Sequence, residues 1–197
     1  MNMNERTFRA SEAHKLEDPE RLKWLPPAEI IGRLELKPGA TVADVGAGTG
    51  FFAIPLAELV GPAGAVYAVD LQDEMLDILA EKLSRRTPPL HLVLKRGEAL
   101  RTGLPNRSCD LIFMANLWHE LDDHRAVLRE SSRILRPQGR LAILDWRHDC
   151  PPPPGPPAEH RLAMNNVVTL LQQCGWKIQH SAPVAAYSYM IISTLVT

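Results

Sequence analysis

The sequence predicts an α/β fold, a largely parallel sheet covered by helices on both faces, and three observations carry that prediction. Strand-like and helix-like patterns alternate along most of the 197 residues. A glycine-rich turn, Gly46-Ala47-Gly48-Thr49-Gly50, joins the first strand pattern to the helix pattern that follows it. The last two strand patterns follow one another with no helix between them, which calls for an antiparallel hairpin.

Taken in order, the strands are expected near residues 41–45, 65–69, 90–95, 109–115 and 140–145, each a short run rich in Val, Leu, Ile or Ala. Helices are expected near 50–60, 72–85 and 122–135. Asp73 and Glu74 open the second of these, and Lys82, Arg85 and Arg86 close it, complementing the helix dipole. Pro62 and Gly64 stop the helix before it, and Pro137-Gln138-Gly139 stops the helix after the fourth strand. The run Cys150-Pro151-Pro152-Pro153-Pro154-Gly155-Pro156-Pro157 cannot be helix or sheet interior, because proline fixes φ and lacks an amide donor. It reads as a stiff connector. A helix near 158–174 follows, stopped by Gly175, and then strands near 176–180 and 187–194 joined by Ser181-Ala182-Pro183.

Composition places the chain among globular proteins with one core. Its hydrophobic content is 45% and its formal charge −1, so charge gives no case for nucleic acid or an anionic membrane surface. No apolar run reaches spanning length, and Met1-Asn2-Met3-Asn4-Glu5-Arg6 lacks a secretory h-region, so a cytoplasmic location is expected. Cys109, Cys150 and Cys174 are scattered without zinc spacing and read as free thiols, with no metal site.

The glycine turn carries the chemistry. Its spacing is Gly-x-Gly-x-Gly, and Phe51 stands where the dinucleotide fingerprint Gly-x-Gly-x-x-Gly has its third glycine. The second strand ends in Asp70, about 20 residues on, where doubly wound nucleotide folds keep a carboxylate for ribose hydroxyls. His119, just after the fourth strand, is the candidate general base; it can equally be a structural histidine bonded to its own loop. Glu120 could orient it, and His14 is a second candidate if the N-terminal segment folds over the site. Among the aromatics, Trp24, Trp118 and Trp146 are candidate walls of an acceptor pocket, with Trp118 and Trp146 favoured because they follow parallel strands. Core packing is the competing reading for each.

These segments together resemble the class I methyltransferases that use S-adenosylmethionine. Asp44-Val45-Gly46-Ala47-Gly48-Thr49-Gly50 is similar to the family's first motif and Val66-Tyr67-Ala68-Val69-Asp70 to its second. Gly97-Glu98-Ala99-Leu100, Cys109-Asp110-Leu111-Ile112-Phe113-Met114-Ala115 and Leu135-Arg136-Pro137-Gln138-Gly139-Arg140-Leu141 resemble later segments in the right order. Within the class the chain most resembles small-molecule methyltransferases related to ubiquinone and menaquinone biosynthesis enzymes.

The resemblance implies a Rossmann-like, doubly wound sheet of seven strands, mostly parallel with an antiparallel last strand. It implies an N-terminal helical cap segment over residues 1–38 and a cofactor-binding methyltransferase domain over 39–197. Gly46, Ala47, Gly48 and Gly50 would border the methionine portion of S-adenosylmethionine, and Asp44 would orient its ammonium. Asp70 would accept the ribose hydroxyls, Leu71 or Gln72 would meet the adenine face, and Met75 would pack near the ribose. Gly97, Glu98 and Ala99 would border the adenine edge, although the family's usual residue at the Glu98 position is Asp. Asn116 and Leu117 would face the cofactor at the mouth of the site.

The expected reaction is methyl transfer to a small-molecule acceptor, with S-adenosylhomocysteine as product. Asn116-Leu117-Trp118-His119 departs from the Asn/Asp-Pro-Pro-aromatic motif of DNA amino methylation in similar enzymes. A thiol acceptor, a non-catalytic scaffold and a nicotinamide oxidoreductase remain as alternatives, and the oligomeric state is open.

Overall fold

The structure, a computed structural model, describes residues 7–150 and 154–196. The start of the chain, residues 1–6, and the prolines at 151–153 lie outside the described residues. One sheet contains β1 (Thr41–Val45), β2 (Ala65–Asp70), β3 (Leu92–Arg96), β4 (Cys109–Ala115), β5 (Leu135–Trp146), β6 (Trp176–Val184) and β7 (Ser188–Leu195). Their spatial order is β3-β2-β1-β4-β5-β7-β6. The first five pair in parallel, and β7 runs antiparallel to both β5 and β6. The expected seven-stranded sheet with one reversed strand is therefore present.

Side-chain alternation along the strands builds a core on each face. Val42, Leu111, Phe113, Ala142 and Leu144 point to one side, where they meet α2 (Pro27–Gly32) and α3 (Ala53–Val60) through Ile30, Leu56 and their neighbours. Leu79 of α4 (Asp73–Ser84) joins that side. Ala43, Ile112, Met114, Leu141 and Ile143 point to the other, against Val127 and Leu128 of α5 (His124–Ile134) and Val167 and Leu171 of α6 (Met164–Gln173). Central strands buried on both faces explain why they read as continuous apolar runs. Ahead of the sheet lie a 3₁₀ segment, Ala10–Glu17, and the short helix α1 (Arg21–Trp24).

Three sequence expectations shift for physical reasons. The last hairpin turns at residues 185–187, with Ala185 at φ 51°, and Ser181-Ala182-Pro183 belongs to β6 instead. Pro183 is tolerated there because β6 is an edge strand. Pro137-Gln138-Gly139 lies within β5, where the register shifts between the pairings at Cys109 and Leu111 and Gln138 adopts φ 67°. The helix expected over 158–174 is divided into a 3₁₀ turn, Ala158–His160, and α6, because Arg161 is extended and turns its guanidinium back onto the chain before it.

Candidate active site

Strand order reverses between β1 and β4, so the loops leaving their carboxyl ends diverge and open a crevice. The cleft there has a volume of about 1060 Å³. Asp44, Gly46, Ala47, Gly48, Asp70, Leu71, Met75, Gly97, Glu98, Ala99, Asn116 and Leu117 all line it, as do Trp24, His119 and Trp146. The topology thus brings together residues spread over more than half of the chain.

In one half of the cleft the backbone sets the geometry. Gly46 N–H and Ala47 N–H donate to Val69 O at 2.8 and 3.1 Å, tying the glycine turn to β2. Gly48 N–H donates to one Asp70 carboxylate oxygen at 2.7 Å and Gln72 N–H to the other at 2.9 Å. Burial raises the Asp70 carboxyl above its ordinary range, and these amides oppose that rise. Asp44 is 2% exposed and its Oδ2 has no partner; burial, with Asp70 adding its charge, pushes its carboxyl up to about 7. Asn116, held at φ 54°, has an orphaned Oδ1 as well. Two buried acceptors without donors suit a cationic group.

Gly50 departs from the expectation. It does not border the cleft; its missing Cβ makes room for Leu79 of α4, which a side chain at φ 87° would strike. The third glycine of the motif serves helix packing, while Gly46 lies under Leu117, whose Cδ2 would be 2.9 Å from an added Cβ.

The other half of the cleft is built by side chains. His119, 4% exposed, sits in a 3₁₀ turn, Trp118–Glu120. Its Nδ1 is 2.8 Å from Asp145 Oδ1, and its backbone N–H donates to Asp145 Oδ2 at 2.8 Å. A carboxylate only accepts, so Nδ1 carries the proton and Nε2 keeps its lone pair. Burial pulls the imidazole pKa down, but the charge and hydrogen bond of Asp145 outweigh it, and the net shift is upward. Asp145, rather than Glu120, is the orienting group. Glu120 Oε1 lies 3.9 Å from His119 Nε2, its Oε2 accepts from Phe8 N–H at 3.1 Å, and burial lifts its carboxyl to about 7.

The three tryptophans separate. Trp146 and Trp24 meet on the cleft wall with ring centroids 5.3 Å apart. Trp118 does not line the cleft: the 3₁₀ turn rotates its fully buried ring into the α5 and α6 side of the core, 4.7 Å from His124. His14 is exposed and also lies off the cleft wall. Behind Trp146 the backbone of Gly155 lies flat on the indole, where an added Cβ would come within 2.6 Å of the ring. Arg161 holds that strap in place by donating to the carbonyls of Arg147, Cys150, Pro154 and Pro156.

The N-terminal segment crosses the cleft from one half to the other. Gln72 accepts from Ala10 N–H at 2.9 Å and donates to Phe8 O at 2.8 Å, while Phe8 N–H reaches Glu120. Glu17 accepts from Thr49 Oγ1 at 2.5 Å and pairs with Lys82 at 2.6 Å, which fastens the segment to the glycine turn and α4.

Residues 43–143, just over half of the chain, match the family described as methyltransferase domain. The chain belongs to that family. A solved S-adenosylmethionine-dependent methyltransferase from Aquifex aeolicus is 33% identical and superposes with a TM-score of 0.90, over 96% of this chain and 100% of that one. Demethylmenaquinone methyltransferases are similar too: that of Lactobacillus johnsonii is 32% identical over 117 residues, 59% of this chain and 48% of the relative. That of Geobacillus kaustophilus is 32% identical over 124 residues, 63% of this chain and 52% of the relative. The methyltransferase spans about half the length of these curated relatives.

As a class I methyltransferase the protein uses S-adenosylmethionine, and the cleft fits that donor on its own observations: the orphaned acceptors of Asp44 and Asn116, and the amide-anchored Asp70. Asp145, Phe51, Arg21 and Gly155 escaped the sequence reading. A single acid inside the buried run Ile143-Leu144-Asp145-Trp146 was the available signal, since an unpaired charge does not survive there.

Proposed function

We propose that the methyltransferase acts on a planar, ring-bearing small molecule of quinol type, with His119 as the catalytic base. The observation that carries this reading is one cleft lined on one side by the amide-anchored Asp70 and on the other by Trp24, Trp146 and His119, with Asp145 bonded behind the imidazole. The similarity to demethylmenaquinone methyltransferases supports a quinol ring.

When bound, S-adenosylmethionine supplies an electrophilic methyl group on a sulfonium whose sulfur leaves with the bonding electron pair. Asp44 and Asn116 would hold its ammonium, Asp70 its ribose hydroxyls, and Leu71, Met75, Gly97, Glu98 and Ala99 would enclose its base. His119 Nε2 takes the proton of a ring hydroxyl, and Asp145 stabilises the imidazolium that results. The oxyanion left behind enriches the oxygen and the adjacent ring carbons, the positions that can take the methyl. Residues 7–24 cover the cleft and exclude water, whereas 25–38, expected as part of the cap, pack in the core and away from it; fixed alignment contributes up to roughly 7–11 kcal/mol in favourable cases.

Among the described residues no helix is long and apolar enough to cross a membrane. Cys109, Cys150 and Cys174 are all unpaired, which supports a reducing, cytoplasmic setting.

The test supplies an alkyl-naphthoquinone before and after chemical reduction and follows S-adenosylhomocysteine release. Turnover is expected with the reduced quinol alone. Turnover of neither form, by protein that still binds S-adenosylhomocysteine, would overturn the quinol reading.

A further inference from the structure

Arg21 is a buried cation without a matching anion. It is 7% exposed, yet it lines the cleft. One Nη1–H donates to Leu16 O at 2.7 Å, and among the described residues the guanidinium makes no ion pair. Glu17, the acid whose charge acts on it, is taken up by Thr49 and Lys82. The carboxylate of Asp18 accepts from Glu20 N–H. The guanidinium lies 4.1 Å from the centre of the Phe51 ring and 6.0 Å from that of Trp24. Burial lowers its pKa to about 10, the direction expected of a cation that has lost water and gained no full counter-charge.

Burying an arginine in this way costs free energy that a structural staple to one carbonyl does not return. A simple anchor for the 3₁₀ segment would not need a guanidinium on the cleft wall beside two aromatic faces. Guanidinium is planar, stacks on rings, and recognises oxyanions by paired N–H groups. The guanidinium already stacks on Phe51 with Trp24 farther off, and among the described residues its N–H groups other than the one on Leu16 O have no partner on the cleft wall, where an aromatic acceptor can turn an oxygen to them.

We infer that Arg21 is the acceptor-specificity residue of this cleft, and that the acceptor is an aromatic ring bearing an anionic oxygen, a ring carboxylate or an acidic enolate. The inference deepens the planar-acceptor reading above and rests on it. It divides the labour within the site: His119 removes a proton at the position to be methylated, and Arg21 holds a second, already anionic oxygen and so fixes which ring position faces the donor.

The experiment uses two matched pairs of probes: lawsone, an acidic hydroxynaphthoquinone, with its neutral methyl ether, and para-hydroxybenzoate with para-hydroxybenzamide. Calorimetry is performed on the full chain saturated with S-adenosylhomocysteine. The anionic member of at least one pair is expected to bind about tenfold more tightly, the size of one charge-assisted hydrogen bond. The pair that shows it tells enolate from carboxylate. Arg21→Met is expected to erase the preference while leaving affinity for the neutral member and for S-adenosylhomocysteine unchanged. Arg21→Gln, closer in shape and able to hydrogen-bond Leu16 O, takes its place if the Met variant does not fold. Equal binding of both members of each pair by the wild type, or a preference that survives in the variant, would overturn the inference and leave the quinol reading intact. Binding of none of the four probes would overturn it together with the planar-acceptor reading.

Discussion

The two halves of the cleft are made in different ways. The donor half, from Asp44 to Asp70, comes from two adjacent strands and the turn between β1 and α3, and its key contacts are backbone N–H groups donating to Val69 O and Asp70. The acceptor half gathers Arg21, Trp24, His119, Asp145, Trp146 and Gly155 from four separate stretches, held by side-chain contacts. A surface set by main-chain geometry is insensitive to the identity of most side chains. A surface set by side chains can be altered by single substitutions, which suits the part of a methyltransferase that must choose its acceptor.

The sharpest way to break that contrast is at the His119–Asp145 pair. His119→Ala, or Asp145→Asn acting through the tautomer, should lower kcat by roughly 10²–10⁴-fold, the usual contribution of a positioned base. The affinity for S-adenosylhomocysteine should stay as it was. Because Asp145 raises the imidazole pKa, wild-type kcat should climb with pH through a value above that of an ordinary histidine, and single-turnover rates across pH would show it. A pH-independent rate would remove His119 from the base role.

Next in size is Asp70→Ala. Its carboxylate anchors the amides of Gly48 and Gln72, so the loss reaches both ribose recognition and the shape of the turn. Calorimetry should report S-adenosylhomocysteine binding weakened on the order of 100-fold, from about 3 kcal/mol for lost charge-assisted hydrogen bonds.

The smallest effect concerns Asp44. Without donor its pKa is raised to about 7, and beside an ammonium it must be ionised. Binding below that pH therefore releases a proton, so donor affinity should fall by up to about tenfold for each pH unit below 7 and level off above it. Asp44→Asn should flatten the profile; a slope unchanged in that variant would point to another titrating group.

Legibility in the sequence follows the same division. Strand and helix order, the glycine turn and Asp70 could be read because their meaning is local: a period, a spacing, a strand end. Gly50 looked equivalent to Gly46 and Gly48, yet the direction in which its Cβ would point is settled by α4, a helix more than 20 residues away. Trp118 lies past the end of β4 and Trp146 is the last residue of β5, but a 3₁₀ turn sends the first into the core while the strand keeps the second on the cleft. Asp145 acquires its role only when β5 lies beside β4 and brings it to His119. Arg161 lies extended where the sequence predicts a helix, and its guanidinium donates to the carbonyls of Arg147, Cys150, Pro154 and Pro156, a tie between distant backbone groups that no local period announces.

The segment from Phe8 to Glu17 is hydrogen-bonded through its first residues to both Gln72, beside Asp70, and Glu120, beside His119, and through its last to Thr49 and Lys82. Because Phe8 and Ala10 touch both halves, the two halves share one cover. Lifting those residues releases contacts to both halves at once, so a single displacement of the segment would uncover the Asp70 side and the His119 side together.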